Sequence, residues 1–389
     1  MKIVHAIDSL DPETGGPPKI AASLAAAQAA RTQPVMMLHH DGEAAGPRIG
    51  QMLEHIPGAR DVQRVNLPAY SVPRLLFGPT PREIAAALDG ADVVHMHGIW
   101  LPLMVRVARE ARRRSIPYTI LMNGMLDPWS LAQRRLKKKL SLALFQRRML
   151  NGAAFLHVGN AEERDLIEPL GLRTGCQIIP NGLFPEELED PPAPGGFYEA
   201  CPQLGGAPFA LFMSRLHYKK GPEILIEAFA RIAADHPGFH LVVAGPDGGA
   251  RGDVQQRVQK HGLAERVHLV GPIYGESKRR ALTDAAMFVL PSHQEGFSMA
   301  ITEALGWGLP CVVTYGCHYG EVAEAGAGYV VATQAQPVAE AVAKLMADAE
   351  LRRRMGEAGR QLVLDRFTWP RIAERTFEHY HQAGVAAAL

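Results

Sequence analysis

The chain has 389 residues, of which 47% are hydrophobic and 21% charged, as in a globular protein with large cores. Lys and Arg number 41 against 40 Asp and Glu, so the formal net charge of +1 gives no basic field for nucleic acid. No apolar stretch is long enough to span a bilayer, and the first one, 3–7, is too short for a signal peptide. The four cysteines lack metal-ligand spacing, which favours reduced thiols in a cytoplasmic protein.

Short apolar runs alternate with helical patterns in the first half, and this alternation predicts βαβ units in a parallel sheet. The predicted strands are Ile3–Ile7, Val35–Leu38, Asp92–Met96, Tyr118–Met122, Ala153–Val158 and Cys176–Ile179. The predicted helices include Pro18–Ala30, Leu101–Arg113, Leu131–Leu150 and Ala161–Leu170.

A segment rich in proline and glycine, Gly182–Ala207, follows and suits a linker between domains. The alternation then restarts. Its predicted strands are Phe209–Met213, His240–Ala244, Val267–Val270, Met287–Leu290 and Cys311–Val313. Its predicted helices are Pro222–Ala234, Val254–Lys260, Ser277–Asp284 and Met299–Trp307, with three more, Pro337–Ala347, Glu350–Leu364 and Trp369–Ala383, in the tail. Two such α/β halves predict a cleft between them as the active site.

Polar or glycine residues follow several strands of the first half. Gly15 and Gly16 allow close backbone approach to a ligand, and His97 is the outermost of two histidines at a strand end. Asn123 and Asn181 also stand at strand exits. We predict that these residues face the cleft; a packing role for the histidine and plain turns for the others are the alternatives.

The segment 133–150 is basic within an otherwise balanced chain, which predicts a helix that docks on anionic lipid. The alternative is a solvated basic face, because apolar residues recur at helical spacing and would then pack on the sheet. These residues are Leu136, Leu140, Ala143, Phe145 and Leu150.

Two cations, Arg215 and Lys220, follow the first strand of the second half and precede a helix. An Arg fork and a mobile Lys suit a diphosphate leaving group, although a solvated basic turn is the alternative. Further on, Glu295 and Glu303 lie eight positions apart. Glu295 stands in the short loop that follows a predicted strand, and Glu303 stands in the helix that follows this loop. The helix amides can hold phosphate, and Glu303, on nearly the same face as Glu295, can accept hydrogen bonds from sugar hydroxyls.

Several common nucleotide motifs are missing from the sequence. It has no Gly-x-Gly-x-x-Gly that opens a helix after a strand and no P-loop, which disfavours nicotinamide enzymes and P-loop phosphotransferases. It also has no Asp-x-Asp, the pair with which many sugar transferases bind a divalent metal. We therefore expect no metal site and no cofactor.

Taken together, these residues resemble the family-4 retaining glycosyltransferases of GT-B fold. The resemblance spans nearly the whole chain, and its most specific part is 291–303 with the following Gly308-Leu309-Pro310. It implies two Rossmann-like doubly wound domains, 1–185 on the acceptor side and 205–365 on the nucleotide-sugar side. A last helix within 366–389 would cross back onto the first domain.

The resemblance also implies roles for the matched residues. Glu295, His97, Arg215 and Lys220 would be catalytic, and Asn123 and His97 would face the acceptor. The donor, a UDP- or GDP-linked sugar, would contact Gly15, Gly16, Asn181, Arg215, Lys220, Gly296, Phe297, Ser298 and Glu303. Many relatives carry Pro-His-Gly where this chain has Met122-Asn123-Gly124, and an acid where it has Lys219. Trp307 replaces the usual small residue.

The implied function is transfer of a hexose, with retention and without metal, to a glycan or lipid-linked acceptor in cell-envelope polysaccharide or glycolipid synthesis. Such an enzyme is expected in the cytoplasm, at the inner face of the membrane. The alternatives are a GT-B sugar-nucleotide epimerase or hydrolase, and a non-enzymatic protein that binds nucleotide sugars.

Overall fold

A computed structural model of the chain describes residues 1–68, 71–77 and 82–385. The chain divides into two compact units, one formed by 1–184 with 369–389 and the other by 185–368. Each is a parallel sheet between helices, as the alternation of apolar runs and helical patterns predicts. No helix in the described part of the chain is long and apolar enough to cross a membrane.

In the described residues of the first unit, seven parallel strands are arranged in the order β3-β2-β1-β4-β5-β6-β7. The strands are β1 (Ile3–Ile7), β2 (Val35–His39), β3 (Gln63–Asn66), β4 (Val93–His97), β5 (Tyr118–Leu121), β6 (Phe155–Val158) and β7 (Cys176–Ile178). The helices are α1 (Pro17–Ala29), α2 (Gly46–Glu54), α3 (Val72–Phe77), α4 (Arg82–Ala87), α5 (Pro102–Arg113), α6 (Pro128–Ala132), α7 (Arg135–Ser141), α8 (Arg147–Leu150) and α9 (Ala161–Ile167). The strand order reverses between β1 and β4, which is where doubly wound sheets bind ligands.

The second unit repeats this plan, with the described strands in the order β10-β9-β8-β11-β12-β13. The strands are β8 (Phe209–Met213), β9 (His240–Ala244), β10 (Val267–Gly271), β11 (Met287–Leu290), β12 (Cys311–Thr314) and β13 (Gly328–Val331). The helices are α10 (Gly196–Ala200), α11 (Pro222–Ile232), α12 (Arg251–Lys260), α13 (Gly275–Asp284), α14 (Met299–Gly306), α15 (Glu321–Glu324), α16 (Ala335–Ala347) and α17 (Ala349–Arg366). Its switch point lies between β8 and β11.

The C-terminal helix, α18 (Trp369–Gln382), belongs to the first unit although it follows the second in sequence. It packs against α1 and fills the core with Trp369, Ile372 and Tyr380, each at most 3% exposed. Burial of each such side chain stabilises the unit by roughly 2–3 kcal/mol. The peptide N–H of Trp369 donates to the carbonyl oxygen of Leu183 at 2.8 Å, which ties the returning chain to the end of the first unit.

The expected linker is not a free connection. From residue 185 onward the segment belongs to the second unit, where Phe197 is 2% exposed and its ring lies 5.5 Å from that of Phe209. The Asp284 carboxylate accepts from the peptide N–H groups of Gly195 and Phe197, both at 2.7 Å. The segment is therefore folded onto the second unit, and the buried Phe197 side chain fixes it there.

Candidate active site

The loops after β8 and β11, on either side of the switch point, interlock in the second unit. The peptide N–H of His293 donates to the carbonyl oxygen of Lys219 at 2.7 Å. Gly221 has φ +64°, and a Cβ at that position would lie 2.1 Å from the carbonyl oxygen of Pro291. Only glycine fits so close an approach, so this backbone contact sets the spacing between the two loops.

Lys220 and Glu295, predicted separately from the two loops, form an ion pair. The Lys220 ammonium lies 2.7 and 2.6 Å from the two carboxylate oxygens, and the Ser292 hydroxyl donates to the same carboxylate at 2.6 Å. The Lys220 side chain is 21% exposed and that of Glu295 only 6%. The peptide N–H of Glu295 also donates to the carbonyl oxygen of Gly316, which fixes the backbone beneath the carboxylate.

Glu303 has a different partner. Its Oε1 accepts from the Lys278 ammonium at 2.7 Å, with side-chain exposures of 14% and 26%. Burial alone would lower the pKa of Lys278, but the Glu303 carboxylate outweighs it and raises that pKa above its ordinary value. Glu295 lies in the loop before α14 rather than on the helix, so the expected common helical face for Glu295 and Glu303 is wrong.

Arg215 extends from the end of β8 beside a glycine-lined turn. A Cβ at Gly248 would lie 2.8 Å from Cγ of Arg215, and a Cβ at Gly245 would lie 1.9 Å from the carbonyl oxygen of Ser214. The two glycines leave room for this loop and for the arginine stem. Within the described residues the guanidinium has no ion-pair partner, so its charge is available to an anion.

Arg215, Lys278 and Glu303 meet in one pocket of about 240 Å³ at the carboxyl edge of the second sheet. Its other walls come from the ends of β8, β9 and β10 and the first turn of α14. The lining residues are Met213, Ser214, Arg215, Ala244, Gly245, Pro246, Pro272, Ile273, Tyr274, Lys278, Ala300 and Glu303. Cations, one carboxylate and apolar walls thus converge, as in small-molecule binding sites.

The remaining predicted residues of this unit, Gly296, Phe297 and Ser298, lie between Glu295 and Glu303 in the sequence. Gly296 is exposed, and the ring of Phe297 packs 5.4 Å from that of Tyr319 and 5.9 Å from that of Phe367. Ser298 is buried at the N-cap of α14, where its side chain makes no capping bond. Its carbonyl oxygen accepts the first intrahelical bond, from the N–H of Thr302.

In the first unit, the glycine loop after β1 is held by acidic side chains. Asp11 binds Arg48 with both carboxylate oxygens, one of them at 2.9 Å from Nε, and this hydrogen-bonded guanidinium lowers the pKa of Asp11. Gly15 has φ +115°, and Gly16, at the N-cap of α1, is exposed with nothing within 4 Å of an added Cβ. The loop therefore offers open backbone at the switch point between β1 and β4.

His97 is only 4% exposed and lies at the end of β4 within a cluster of histidines. Its Nε2 is 2.9 Å from Nδ1 of His5, whereas its Nδ1 is buried and has no hydrogen-bond partner in the described chain. Burial, reinforced by the neighbouring imidazoles, lowers its pKa well below the usual value.

Asn123 and Asn181 lie just after β5 and β7 respectively. Asn123 has φ +49°, a left-handed conformation that asparagine tolerates, and its buried Nδ2 has no partner among the described residues. The N–H groups of Gly124 and Gly159 both donate to the buried carboxylate of Glu163, whose pKa is raised by burial. Asn181 is 7% exposed.

The basic segment is not one regular helix. Residues 135–150 form α7, a π-helical turn at Leu142–Gln146 and α8, and Arg134 before them is left-handed. The alternative, in which the apolar residues pack on the sheet, is wrong for Leu136 and Leu140, because these side chains are 84% and 61% exposed. Phe145 and Leu150 do pack against the core, which anchors the segment at its C-terminal end.

Two members of the site were missed from the sequence, Lys278 and Ser292. Lys278 stands in the first turn of a helix that follows β10, the same strand–loop–helix context that identified Lys220. Ser292 lies three positions before Glu295 on the same loop, within reach of its carboxylate. Within the described residues, no group of three or more His, Cys, Asp or Glu side chains is placed to hold a metal ion.

Comparison with known proteins shows where this architecture recurs. A family model described as "Glycosyl transferases group 1" matches residues 202–362, and one described as "Glycosyl transferase 4-like domain" matches residues 15–182. The two matches fall on the second and first units respectively and together cover most of the chain.

Among curated proteins, the chain is 27% identical to the D-inositol 3-phosphate glycosyltransferase of Corynebacterium jeikeium, over 87% of this chain and 85% of that protein. It is 26% identical to the phosphatidylinositol N-acetylglucosaminyltransferase gpi3 subunit of Schizosaccharomyces pombe, over 52% of this chain. That match spans 42% of the yeast protein, less than half of its length.

Solved structures share the fold at low identity. Anabaena HepE in complex with UDP superposes with a TM-score of 0.75 at 19% identity, over 98% of this chain and 100% of that one. WaaG, a glycosyltransferase involved in lipopolysaccharide biosynthesis, gives a TM-score of 0.66 at 18% identity, with both chains fully covered. At these identities the likeness establishes a GT-B fold with two Rossmann-like domains.

Proposed function

We propose that this chain, which belongs to the group 1 glycosyl transferases with a 4-like N-terminal domain, moves a hexose from a nucleoside-diphosphate sugar to a glycan or lipid-linked acceptor with retention. One observation carries the donor assignment. Arg215 and Glu303, singled out on chemical grounds, line the same pocket of the second unit. A cation for phosphate and a carboxylate for ribose are the two polar groups that a nucleoside diphosphate requires.

Glu303 would accept hydrogen bonds from the ribose hydroxyls. The Lys278 ammonium holds the carboxylate in place by a hydrogen bond of 2.7 Å, and the carboxylate lines the pocket as a hydrogen-bond acceptor. The apolar walls, with Tyr274 71% exposed at the rim, would cover the base. This assignment leaves Glu295, on the neighbouring loop, for the donor sugar.

Arg215 and Lys220 would stabilise the diphosphate as it leaves. When the bond between the anomeric carbon and the phosphate oxygen breaks, the electron pair goes to the diphosphate, and two nearby cations lower the energy of that charge. Lys220 is paired with Glu295 in the free protein, so an incoming phosphate would share the ammonium with this carboxylate. In this proposal no divalent metal is required, since the two side chains supply the positive charge.

The acceptor would approach from the first unit, near His97 and Asn123, whereas the open backbone of Gly15 and Gly16 would contact the donor. Two of these residues present buried nitrogen atoms without a partner in the described part of the chain, His97 Nδ1 and Asn123 Nδ2. Hydroxyl groups of a sugar both donate and accept hydrogen bonds, so they match this pair of atoms.

We further propose that the segment 133–150 docks on anionic lipid. Leu136, Leu140 and Leu144 recur every four residues and are 84%, 61% and 60% exposed, and exposed cations at 135, 137 and 139 alternate with the first two. Exposed leucines flanked by cations suit an interfacial helix, with each near-surface cation adding about 1 kcal/mol. Such docking would place the enzyme at the inner face of the membrane, beside a lipid-linked acceptor of cell-envelope polysaccharide or glycolipid assembly.

A flotation assay tests the membrane contact. The parent protein is expected to bind vesicles rich in phosphatidylserine at low salt and to leave them at high salt. Lys137→Gln with Lys139→Gln should weaken binding, and Leu136→Ser with Leu140→Ser should also weaken it without changing the charge. The matched control, Arg353→Gln, changes an exposed cation of the second unit and should bind normally. A parent protein that stays unbound at low salt contradicts the docking.

A thermal-shift screen against UDP-, GDP- and ADP-sugars tests the donor site, because a bound donor raises the melting temperature by mass action. Product analysis with and without candidate acceptors then identifies the reaction. Sugar transfer to an acceptor is the expected result. An epimerised or hydrolysed donor that is formed at the same rate without acceptor would instead establish an epimerase or hydrolase.

A further inference from the structure

Four buried histidines form one hydrogen-bonded cluster inside the first unit. His5, His95 and His97 come from the paired strands β1 and β4, and their rings stack at 5.0–5.3 Å between centroids. His157, from β6, meets His95 edge-on at 5.2 Å. None of the four is more than 4% exposed.

All four imidazoles are neutral near pH 7. Burial lowers the pKa of His5 and of His157 to about 4, and it lowers the pKa values of His95 and His97 well below the usual value. Across the described residues no carboxylate contacts any of the four rings, so no negative charge offsets the cost of a buried imidazolium. Each ring therefore has one N–H donor and one acceptor nitrogen.

The direction of the hydrogen bonds is set at one end by a carbonyl group. His157 Nε2 lies 2.7 Å from the carbonyl oxygen of Ile179, which only accepts, so the hydrogen of His157 is on Nε2. Its Nδ1 must then accept from Nε2 of His95, at 3.2 Å. His95 Nδ1 is left as an acceptor, and the Tyr380 hydroxyl on α18 donates to it at 2.6 Å.

The same logic continues to the other end. Tyr380 has given its one hydrogen to His95, so its oxygen accepts from Nε2 of Gln28, at 3.2 Å. That bond fixes the amide, whose Oε1 accepts from Nε2 of His5 at 2.8 Å. His5 Nδ1 is then an acceptor and receives the N–H of His97 Nε2 at 2.9 Å. A reversal at any link would require a cationic histidine or a second hydroxyl hydrogen on Tyr380.

The chain ends at Nδ1 of His97, which must carry a lone pair. We propose that this one-way chain from Ile179 through Tyr380 holds His97 in the tautomer with hydrogen on Nε2, so that Nδ1 accepts a hydrogen bond from a substrate hydroxyl. The nitrogen is buried at the end of β4, beside the switch point, and has no partner in the described residues. Gln28 and Tyr380 are therefore positioning residues that act through His97.

The tautomer assignment stands on the free protein alone, whereas the substrate contact rests on the proposed function. A two-dimensional multiple-bond ¹H–¹⁵N spectrum of the ¹⁵N-histidine-labelled full chain reports which ring nitrogen carries hydrogen. We expect the resonance pair that disappears in His97→Gln to show Nε2 protonated and Nδ1 bare. A protonated Nδ1, or a cationic His97 ring, in the parent protein at pH 7.5 would overturn the proposal.

Tyr380→Phe tests the direction of the chain. Without the hydroxyl oxygen the Gln28 amide is free to flip, so we expect a mixture of His97 tautomers and a kcat/KM lower by roughly five- to tenfold, the equivalent of one hydrogen bond. The matched control is Glu378→Gln, an exposed neighbour on α18 that is outside the chain of hydrogen bonds and should keep the parent spectrum. A Tyr380→Phe protein with a single, unchanged His97 tautomer would show that the hydroxyl does not set it.

Substrate addition tests the contact itself. The His97 Nδ1 resonance should move when the nucleotide sugar selected by thermal shift, or an active acceptor, is added, and should stay in place with the nucleoside diphosphate alone. If neither substrate moves a correctly protonated His97, the hydroxyl contact is wrong although transfer proceeds. If no donor is consumed at all, the proposed function fails, while the tautomer remains a measured property of the free protein.

Discussion

Removal of the Glu303 carboxylate should weaken nucleotide binding far more than it slows turnover. One carboxylate oxygen is already bonded to Lys278 at 2.7 Å, so the other is open to a ribose hydroxyl. A hydrogen bond to a charged group contributes about 1.5–3 kcal/mol, and its loss in Glu303→Ala should raise Kd roughly 10- to 150-fold. Turnover at saturating donor should change little, because the ribose is remote from the reacting carbon. Calorimetry with the nucleoside diphosphate of the active donor measures the Kd.

The change also leaves Lys278 without its partner, at a cost of about 1–3 kcal/mol in folding free energy because the pair is largely buried. The double variant Glu303→Ala with Lys278→Met removes both charges and should recover much of that stability while binding stays weak. This control separates the lost ligand contact from a damaged fold. A stable Glu303→Ala protein that binds the nucleoside diphosphate as tightly as the parent would refute the ribose assignment.

Three further results are expected. Arg215→Ala and Lys220→Ala should each lower kcat/KM by about 10²–10³-fold, with no loss of parent activity in a chelator, and strict dependence on Mg²⁺ would contradict the role of the two cations. Arg215→Ala should leave the melting temperature nearly unchanged, whereas Lys220→Ala should lower it, because the change leaves the buried Glu295 carboxylate without its cation. Glu295→Ala should lower turnover as well as binding, and a kcat equal to the parent's would remove it from the sugar site. The pKa of His5 and of His157 is about 4 in the folded protein and about 6.5 in the unfolded chain. The free energy of unfolding should therefore be at its full value above pH 6.5 and should fall as the pH drops, by up to about 3 kcal/mol per histidine at pH 4. Urea unfolding at pH 7 and pH 5 checks the sign, which equal midpoints would contradict.

Buried strands were predictable because apolar runs have a strong signal. Phe209–Met213 and Met287–Leu290 were predicted to the residue, since each is an apolar run bounded by turn residues. β3 at Gln63–Asn66 was not predicted, because it is an edge strand whose residues are mostly exposed and polar. β13 at Gly328–Val331 was not predicted either. It starts with a glycine at φ +157°, and a Cβ added there would clash with the carbonyl oxygen of Cys311, a close approach that only the tertiary structure reveals.

In the candidate site, single residues could be identified from the local sequence, whereas contacts between distant positions could not. Arg215, Lys220 and Glu295 were identified because each lies in the loop between a strand and the next helix, where a parallel sheet places its ligand groups. The pairing of Lys220 with Glu295 joins positions 75 residues apart, and no local pattern predicts it. The role of Tyr380 was also hidden, because its α18 reaches the histidine cluster only through the return of the chain to the first unit.

The anomeric configuration of the sugar released from an α-linked nucleotide sugar, followed by ¹H NMR before the free sugar mutarotates, distinguishes retention from inversion. We expect release of nucleoside diphosphate together with the α-anomer of the sugar, and with a known acceptor we expect an α-linked product. Both should be lost in Arg215→Ala. A β-configured first product would contradict retention, and no consumption of any UDP-, GDP- or ADP-sugar would contradict the donor site itself.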